Sequence, residues 1–225
     1  MKTKRIRAII FDLDGTLIDT ILLHGESFTR LFGQLGKKLS EKEIRPLLRH
    51  NTEKIYHALA ARKHLGIGME KFLDLRRKTY YSLLRGKKTV FSDVFPALRR
   101  LRGYKLGIAT NSSRLTLDRS TTRNLRNRFD ATITFSDVLR AKPDPEMLQI
   151  ISRKLRVKPC ECAFVGDSVM DIRAARNAGM YAIALYRKTG ASRLSELRRE
   201  KPDALLRTLD ELPALNAVTQ IATDR

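Results

Sequence analysis

The chain has few of the residues that mark specialised protein classes: no tryptophan, two cysteines, twelve glycines and seven prolines among 225 residues. So little glycine and proline excludes a collagen-like chain, and a hydrophobic content of 42% excludes a wholly disordered one. No apolar run approaches the roughly 20 residues that a membrane-spanning helix needs. Because domains usually hold roughly 100–200 residues, we expect one large globular domain or one domain with an inserted partner, and no membrane association.

The cysteines and the N-terminal segment bear on the compartment. Cys160 and Cys162 are too close in sequence for an ordinary disulfide framework, and a reducing cytoplasm is the simplest compartment for such a pair. The basic N-terminal residues precede an apolar stretch that ends at Asp12 and carries no small-residue cleavage site. We therefore expect no export signal and a cytoplasmic protein.

Acidic residues are scarce as well. Asp and Glu number 24 against 45 Lys and Arg, which gives a formal net charge of +21 and an isoelectric point near 10.5. A field this positive attracts phosphorylated metabolites, nucleic acids and acidic membrane surfaces. Because no aromatic residues are interleaved with the basic runs, we favour a general Lys and Arg bias that serves solubility. A nucleic-acid partner stays as the less favoured alternative.

Short apolar segments rich in β-branched residues predict five buried strands of a parallel sheet. They lie at residues 8–11, 105–109, 131–135, 162–165 and 181–185. Helical patterns separate the later strands, and one continuous basic helix is predicted over residues 114–128. This alternation predicts an α/β fold built on a doubly wound parallel sheet.

Residues 17–88 differ from the rest because they show helical periodicity and no clear strand. Apolar residues recur there at i, i+3, i+4 and i+7, as on the buried face of a helix: Phe28, Leu31, Phe32 and Leu35. We therefore predict a small helical domain over residues 17–88, inserted into an α/β domain made of residues 1–16 and 89–225.

Polar side chains follow three of the predicted strands where each strand ends. These are Asp12 and Asp14 after the first, Thr110 and Asn111 after the second, and Asp167 and Asp171 after the fourth, with Lys142 in a proline-flanked loop. Ligands of open α/β sheets bind beyond the carboxyl ends of the strands, so these side chains should face one crevice. Crowded carboxylates repel one another unless a cation lies between them, and hard oxygen ligands suit Mg²⁺. A lysine and a threonine hydroxyl suit phosphate oxygens, so the pattern predicts phosphoryl transfer.

The sequence resembles the haloacid dehalogenase superfamily of aspartate-nucleophile phosphotransferases. Four segments carry the resemblance in the family's order, at residues 11–17, 110–111, 142–143 and 166–171. The helical insertion resembles the family's type-1 cap, and the chain as a whole resembles the phosphoglycolate-phosphatase-like branch. The resemblance thus implies a Mg²⁺-dependent phosphatase that acts on a small phosphorylated metabolite such as phosphoglycolate.

The resemblance also implies the catalytic roles. Asp12 would be the nucleophile that forms an aspartyl-phosphate. Asp14 would protonate the leaving alkoxide and then deprotonate the water that hydrolyses the intermediate.

It further implies how the cofactor and the phosphate are bound. Asp12, the backbone carbonyl of Asp14 and Asp167 would hold Mg²⁺, and Asp171 would act mostly through a bound water. The phosphoryl oxygens would be bound by three other residues: Thr110, Asn111 and Lys142.

One segment of the insertion is a candidate for substrate specificity. In relatives with this cap, a loop between cap helices enters the active site and contacts the leaving group. Arg49, His50 and Asn51 lie where such a loop is expected, although an ordinary helix-helix connection fits the same residues.

Alternative activities share these motifs. A β-phosphoglucomutase-like phosphotransferase would have all four and would keep the phosphoryl group on a bis-phosphorylated sugar. Phosphonate hydrolysis would need a Schiff-base lysine in the insertion, for which Lys54 and Lys63 are candidates. The sequence leaves open whether the protein is a monomer or a dimer.

Overall fold

A computed structural model describes residues 5–48, 50 and 52–214 of the chain. Six strands of this part form one sheet in the order β3-β2-β1-β4-β5-β6, and every neighbouring pair is parallel. The strands are β1 Ala8–Phe11, β2 Lys105–Thr110, β3 Ala131–Thr134, β4 Cys162–Gly166, β5 Tyr181–Leu185 and β6 Ala204–Leu206. The first strand, β1, lies in the middle of the sheet, with β2 and β3 on one side and β4 to β6 on the other. This order confirms the doubly wound α/β fold.

Helices connect the strands and fill the segment between β1 and β2. They are α1 Ile21–Gln34, α2 Glu41–Ile44, α3 Thr52–Lys63, α4 Met69–Leu84, α5 Val94–Arg100, α6 Arg114–Ser120, α7 Arg123–Arg126, α8 Glu146–Leu155, α9 Val169–Asn177 and α10 Leu194–Arg199. Within the described ranges, every helix falls short of the length and apolar character that crossing a bilayer requires.

The first strand is buried on both of its faces. Ile9 and Phe11 lie in a core layer with side chains of α5, and Ala8 and Ile10 lie in a second layer with side chains of α8. A strand covered on both sides has no solvent face, which explains why its sequence is continuously apolar instead of alternating.

The chain divides into two compact units, with boundaries between Asp19 and Thr20 and between Thr89 and Val90. The first unit carries the sheet, and the second carries α1 to α4. Their assignment as a catalytic core and a cap stays a prediction.

The helical unit has its own core. Phe28, Leu31 and Phe32 of α1 are buried and pack in one cluster with Phe72 of α4. The pattern of apolar residues in the sequence thus identified the buried face of α1.

The single helix predicted over residues 114–128 is wrong, because the structure has α6 and α7 with a break between them. The hydroxyl of Thr121 donates to the carbonyl of Leu117 at 2.6 Å, and the backbone of Thr121 is extended. The hydroxyl of Thr122 then accepts from the backbone N–H of Leu125 and caps α7. Adjacent threonines thus offer the backbone local hydrogen bonds that compete with a continuous helix.

Strand ends also differ from the prediction. β2 extends one residue further, to Thr110, and Phe135 belongs to a 3₁₀ turn instead of β3. The edge strand β6 was not predicted, because three residues are too few to show a periodic pattern.

Candidate active site

The candidate site lies at the carboxyl edge of the sheet, where β1 ends between β2 and β4. Phe11 is in register with Ile108 on one side and Val165 on the other. The backbone N–H of Asp12 donates to the carbonyl of Val165 at 2.8 Å, which places Asp12 at the centre of this edge.

Three of the predicted carboxylates form a buried cluster here. Oxygen atoms of Asp12, Asp167 and Asp171 lie within 4.8 Å of one another, and each residue is at most 7% exposed. Burial raises the pKa of Asp12 to about 7, against the attraction of Lys142 and with added repulsion from Asp171. Burial, with repulsion from Asp12 and Asp171, also raises the pKa of Asp167 well above its ordinary value. Burial and mutual repulsion therefore both disfavour full ionisation of these carboxyl groups.

Lys142 supplies one positive charge to this cluster. Its Nζ donates to Oδ1 of Asp12 at 2.6 Å, to Oδ1 of Asp171 at 2.7 Å and to the carbonyl of Ala109 at 3.2 Å. Burial alone would lower the pKa of this lysine, but the charges of Asp12 and Asp171 outweigh it and raise the pKa. Lys142 is thus a fixed cation in contact with the predicted nucleophile.

A divalent cation fits the remaining charge. Among the described side chains in this cluster, three carboxyl groups share one ammonium group, which leaves a formal surplus of two negative charges. Buried carboxylate oxygens are the hard donors that Mg²⁺ prefers, and a charge of +2 would balance the surplus. Asp12 and Asp167 can therefore hold this ion.

Asp167 is positioned by two segments at once. The hydroxyl of Thr16 donates to Oδ1 at 3.3 Å, and the backbone N–H of Ala191 donates to Oδ2 at 2.5 Å. Gly15 has φ +82°, and a Cβ there would lie 2.3 Å from Oδ2 of Asp167. Only glycine allows this approach, so the position of Asp167 depends on the turn that follows β1.

The loop after β5, which supplies Ala191, was missed in the sequence. A backbone N–H donor leaves no signature in side-chain type, so no local signal could have found it.

Asp171 is fixed by the start of α9. The backbone N–H and the hydroxyl of Ser168 both donate to its Oδ2, at 3.0 and 2.5 Å. Ser168 in turn accepts from the backbone N–H of Asp171, which forms a reciprocal cap. One carboxylate oxygen of Asp171 therefore caps the helix while the other contacts Lys142.

Thr110 and Asn111 lie beside this cluster, at the end of β2. Thr110 is 1% exposed, and its hydroxyl accepts from the backbone N–H of Ser112 at 3.0 Å. Asn111 accepts from the backbone N–H of Lys142 at 3.0 Å and donates to the Lys142 carbonyl at 3.4 Å. The side chain of Asn111 therefore holds the backbone that carries Lys142, and the phosphate-binding roles of these residues stay predictions.

Asp14 is half-buried, and its partner was missed in the sequence. The hydroxyl of Ser112 donates to Oδ2 of Asp14 at 2.6 Å. Ser112 directly follows the predicted pair Thr110 and Asn111, so its position at a strand end was the available signal.

The predicted specificity residues are only partly described. Arg49 and Asn51 lie outside the described residues. His50 is half-buried in the helical unit, and its backbone N–H donates to the carbonyl of Leu47 at 2.9 Å. Of the two candidate Schiff-base lysines, Lys63 forms an ion pair with Glu43 at 2.6 Å.

Comparison with known proteins gives a family match and full-length relatives. The family described as haloacid dehalogenase-like hydrolase matches residues 9–185. Pyrophosphatase PpaX from Bacillus velezensis is 28% identical over 223 residues, which cover 97% of this chain and 100% of that protein. Pyrophosphatase PpaX from Bacillus mycoides is 29% identical over 220 residues, which cover 95% and 99% of the two chains.

A solved structure confirms the fold independently of close sequence similarity. The crystal structure of a predicted phosphoglycolate phosphatase from Haemophilus somnus superposes with a TM-score of 0.77 at 22% identity. The match covers 96% of this chain and 99% of that one. At this coverage the match takes in residues of both the sheet-bearing unit and the helical unit.

Proposed function

We propose that this chain, which belongs to the haloacid dehalogenase-like hydrolase family, hydrolyses a small phosphomonoester through an aspartyl-phosphate on Asp12. The chain is a phosphatase of this family. What we propose is the identity of its nucleophile, its Mg²⁺ cofactor and the class of its substrate. The observation that carries it is the buried cluster of Asp12, Asp167 and Asp171, in which the ammonium group of Lys142 contacts Asp12 and Asp171.

The first half of the proposed reaction transfers the phosphoryl group to the enzyme. A carboxylate oxygen of Asp12 attacks phosphorus, a new P–O bond forms, and the P–O bond to the leaving group breaks. Asp14 gives its proton to the leaving oxygen. Lys142, already in contact with Asp12, offsets negative charge on the transferred group together with the hydroxyl of Thr110.

The second half returns the enzyme to its starting state. Asp14 takes a proton from a water molecule, whose oxygen attacks the phosphorus of the intermediate. The bond between phosphorus and Asp12 breaks, and inorganic phosphate leaves. When bound, Mg²⁺ would be held by Asp12, Asp167 and the backbone carbonyl of Asp14, with Asp171 acting through water, and would neutralise charge on the phosphoryl group.

The two units of the chain have different roles in this proposal. The α/β unit acts as the catalytic core, since Asp12, Asp14, Lys142 and Asp167 all belong to it. The helical unit acts as the cap, and its segment 49–51 contributes to the choice of substrate.

Nucleophile replacement tests the proposal. We expect Asp12→Asn to lower kcat/KM for p-nitrophenyl phosphate by at least about 10³-fold with Mg²⁺ present, since an amide is a far weaker nucleophile than a carboxylate. Asp118→Asn is the matched control, because Asp118 is exposed and pairs only with Arg126 at 3.5 Å among the described salt bridges. Full activity in Asp12→Asn with an intact circular dichroism spectrum would contradict the assignment.

Pyrophosphate is a second candidate substrate. The relatives from Bacillus velezensis and Bacillus mycoides are named pyrophosphatases, and they match this chain over nearly its full length. Phosphoglycolate, glucose 1-phosphate and pyrophosphate are compared by phosphate release, with and without Mg²⁺. A kcat/KM for pyrophosphate above that for phosphoglycolate favours the second candidate, and isomerised sugar phosphate without phosphate release favours a mutase.

Two arginines of the basic stretch bear on the choice between a small anion and a nucleic acid as the partner. Within the basic stretch predicted to be a helix, Arg114 pairs with Asp137 at 2.9 Å and Arg126 with Asp118 at 3.5 Å. Cations that are paired locally contribute less to a continuous polyanion-binding surface. We therefore propose a small phosphorylated metabolite as the partner.

A further inference from the structure

The hydrogen bond between Ser112 and Asp14 links two segments that are 98 residues apart in sequence. We propose that Ser112 is a positioning residue that orients the carboxyl group of Asp14 for proton transfer to the leaving group. This inference rests on the proposed function and deepens it, because it assigns a task to a residue outside the four motif segments.

Ser112 is itself held on both sides, which a positioning residue requires. Its backbone N–H donates to the hydroxyl of Thr110 at 3.0 Å. Its carbonyl accepts from the backbone N–H of Phe135 at 3.0 Å, just beyond the end of β3. The serine hydroxyl therefore projects from a backbone that is fixed by both β2 and β3.

The geometry of the bond defines what Ser112 can do. A distance of 2.6 Å is short for two oxygen atoms, as expected for a hydroxyl that donates to a carboxylate. Because the bond ends at Oδ2, it restrains the orientation of the Asp14 carboxyl group. In the proposed first step the exchangeable proton of this carboxyl group passes to the leaving oxygen as the P–O bond breaks.

A residue that acts through the general acid has a distinctive effect on different leaving groups. An alkoxide is a strong base and needs a proton as it departs, whereas p-nitrophenolate is stable without one. The value of kcat/KM reports the first irreversible step and so isolates the departure of the leaving group. The inference therefore predicts that loss of Ser112 harms alkyl phosphates more than aryl phosphates.

The experiment measures kcat/KM for p-nitrophenyl phosphate and for an alkyl phosphate, with phosphoglycolate as the alkyl substrate. For Ser112→Ala we expect a loss of about 30-fold with phosphoglycolate and less than about threefold with p-nitrophenyl phosphate, part of the 10²–10⁴-fold range of general acid catalysis. Ser112→Thr keeps the hydroxyl and should restore the phosphoglycolate activity. Ser112→Cys, which preserves volume with a weaker donor, gives a second variant should the alanine protein fold poorly.

Ser113→Ala is the matched control. Ser113 is the next residue, and the described hydrogen bonds of its side chain are to Thr116 in the first turn of α6. The same truncation there should change both kcat/KM values by the same small factor.

A double-mutant cycle separates this inference from the proposed function. Asp14→Asn should show the leaving-group dependence in full, and adding Ser112→Ala to it should cause no further selective loss. Equal losses with both substrates in Ser112→Ala, or a selective loss that persists without Asp14, would overturn the role of Ser112. Absence of leaving-group dependence in Asp14→Asn itself would instead remove the acid role of Asp14 in the proposed function.

Discussion

Two ionic clusters of the α/β unit, one largely buried and one fully buried, differ in how their charges are balanced. In one, Arg187 binds both carboxylate oxygens of Asp93 at 2.8 Å, and both side chains are about one-tenth exposed. In the other, Lys142 binds Asp12 and Asp171 while Asp167 lies beside them. The first cluster is a matched pair, and the second has one cation for three carboxyl groups.

The pKa values of Asp93 and Asp12 are shifted in opposite directions. Burial alone would raise the pKa of Asp93, but hydrogen bonds from Arg187 and from the backbone of Leu209 lower it. Burial raises the pKa of Asp12 to about 7 despite the contact with Lys142. Asp12 is buried beside other carboxylates with one hydrogen-bonding cation, whereas Asp93 accepts hydrogen bonds from Arg187, Thr208 and Leu209. Burial, repulsion and the number of donors together account for the difference. A surplus of negative charge around Asp12 is costly unless a cation or a reaction compensates it, which supports the proposal that the second cluster is the functional one.

The matched pair has a structural task. Asp93 also accepts from the hydroxyl of Thr208 at 3.0 Å and the backbone N–H of Leu209 at 2.9 Å. Arg187 donates to the carbonyl of Thr16 at 3.3 Å, and its guanidinium lies 4.1 Å from the ring centroid of Phe91. The pair thus joins segments that are distant in sequence within the α/β unit.

The largest expected effect within this comparison comes from removing the ammonium group of Lys142 from the functional cluster. We expect Lys142→Met to lower kcat/KM for p-nitrophenyl phosphate by about 10³-fold, close to 4 kcal/mol, because the charge on the transferred group loses its fixed partner. Lys105→Met is the control, since Lys105 is exposed and pairs with Asp130 at 3.1 Å. If kcat/KM of Lys142→Met is within threefold of that of the control, Lys142 is not needed for catalysis, and its cluster has a structural role like that of the matched pair.

The next effect is on stability and concerns the matched pair. We expect Arg187→Met to lower the free energy of unfolding by about 3 kcal/mol, because Asp93 is left buried and charged. Replacing both residues, as Arg187→Met with Asp93→Leu, should recover part of this loss. Urea unfolding measures all three proteins. A double variant no more stable than the single one would show that the buried charge is not the cause.

The sequence identified the functional cluster better than the matched pair, for a physical reason. Asp12 and Asp167 each follow an apolar strand, and parallel strands end at one edge, so local patterns were sufficient to bring them together. Arg187 and Asp93 are 94 residues apart and follow no shared pattern. Their contact depends on how the segments after β5 and before α5 meet, which no local signal encodes.

The difference between what local sequence patterns show and what they do not show also explains which fold predictions were wrong. The buried strands were found because their apolar runs reflect burial on both faces. The break at Thr121 was missed because helical propensity alone does not show that a hydroxyl will bind the backbone instead of solvent. Ser112 was passed over because its partner, Asp14, is distant in sequence.

A third prediction asks whether the functional cluster depends on the exact placement of Asp167. Gly15→Ala puts a methyl group 2.3 Å from Oδ2 of Asp167, so we expect about a 100-fold loss of kcat/KM and weaker Mg²⁺ binding. Gly179→Ala is the matched control, because Gly179 has φ +71° with no neighbouring atom within 4 Å of the new Cβ. Both variants carry the backbone strain of a left-handed alanine, about 1 kcal/mol. Isothermal titration with Mg²⁺ should therefore distinguish them, and equal affinities would assign the effect to strain alone.

The smallest expected effect is the pH dependence of stability, and it should have opposite signs in the two clusters. The pKa of Asp12 is raised to about 7 in the folded chain, so the folded state retains a proton that the unfolded state has lost above about pH 4. Stability from this group therefore falls as pH rises from about 4 to about 7. The pKa of Asp93 is lowered, so its contribution is present above the ordinary carboxyl pKa and falls as the pH drops through its folded value.

Thermal unfolding without metal should resolve this difference when wild type is compared with Asp12→Asn. We expect the variant to gain stability relative to wild type as the pH rises from about 5 to about 7.5, because it lacks the carboxyl group that ionises at a cost. Saturating Mg²⁺ should stabilise wild type at pH 7.5 by about 2 kcal/mol, the value for a ligand well above its dissociation constant, and stabilise the variant less. If instead the two profiles stay parallel and Mg²⁺ stabilises both proteins equally, the charge at Asp12 is already balanced, and the contrast with the Arg187 and Asp93 pair disappears.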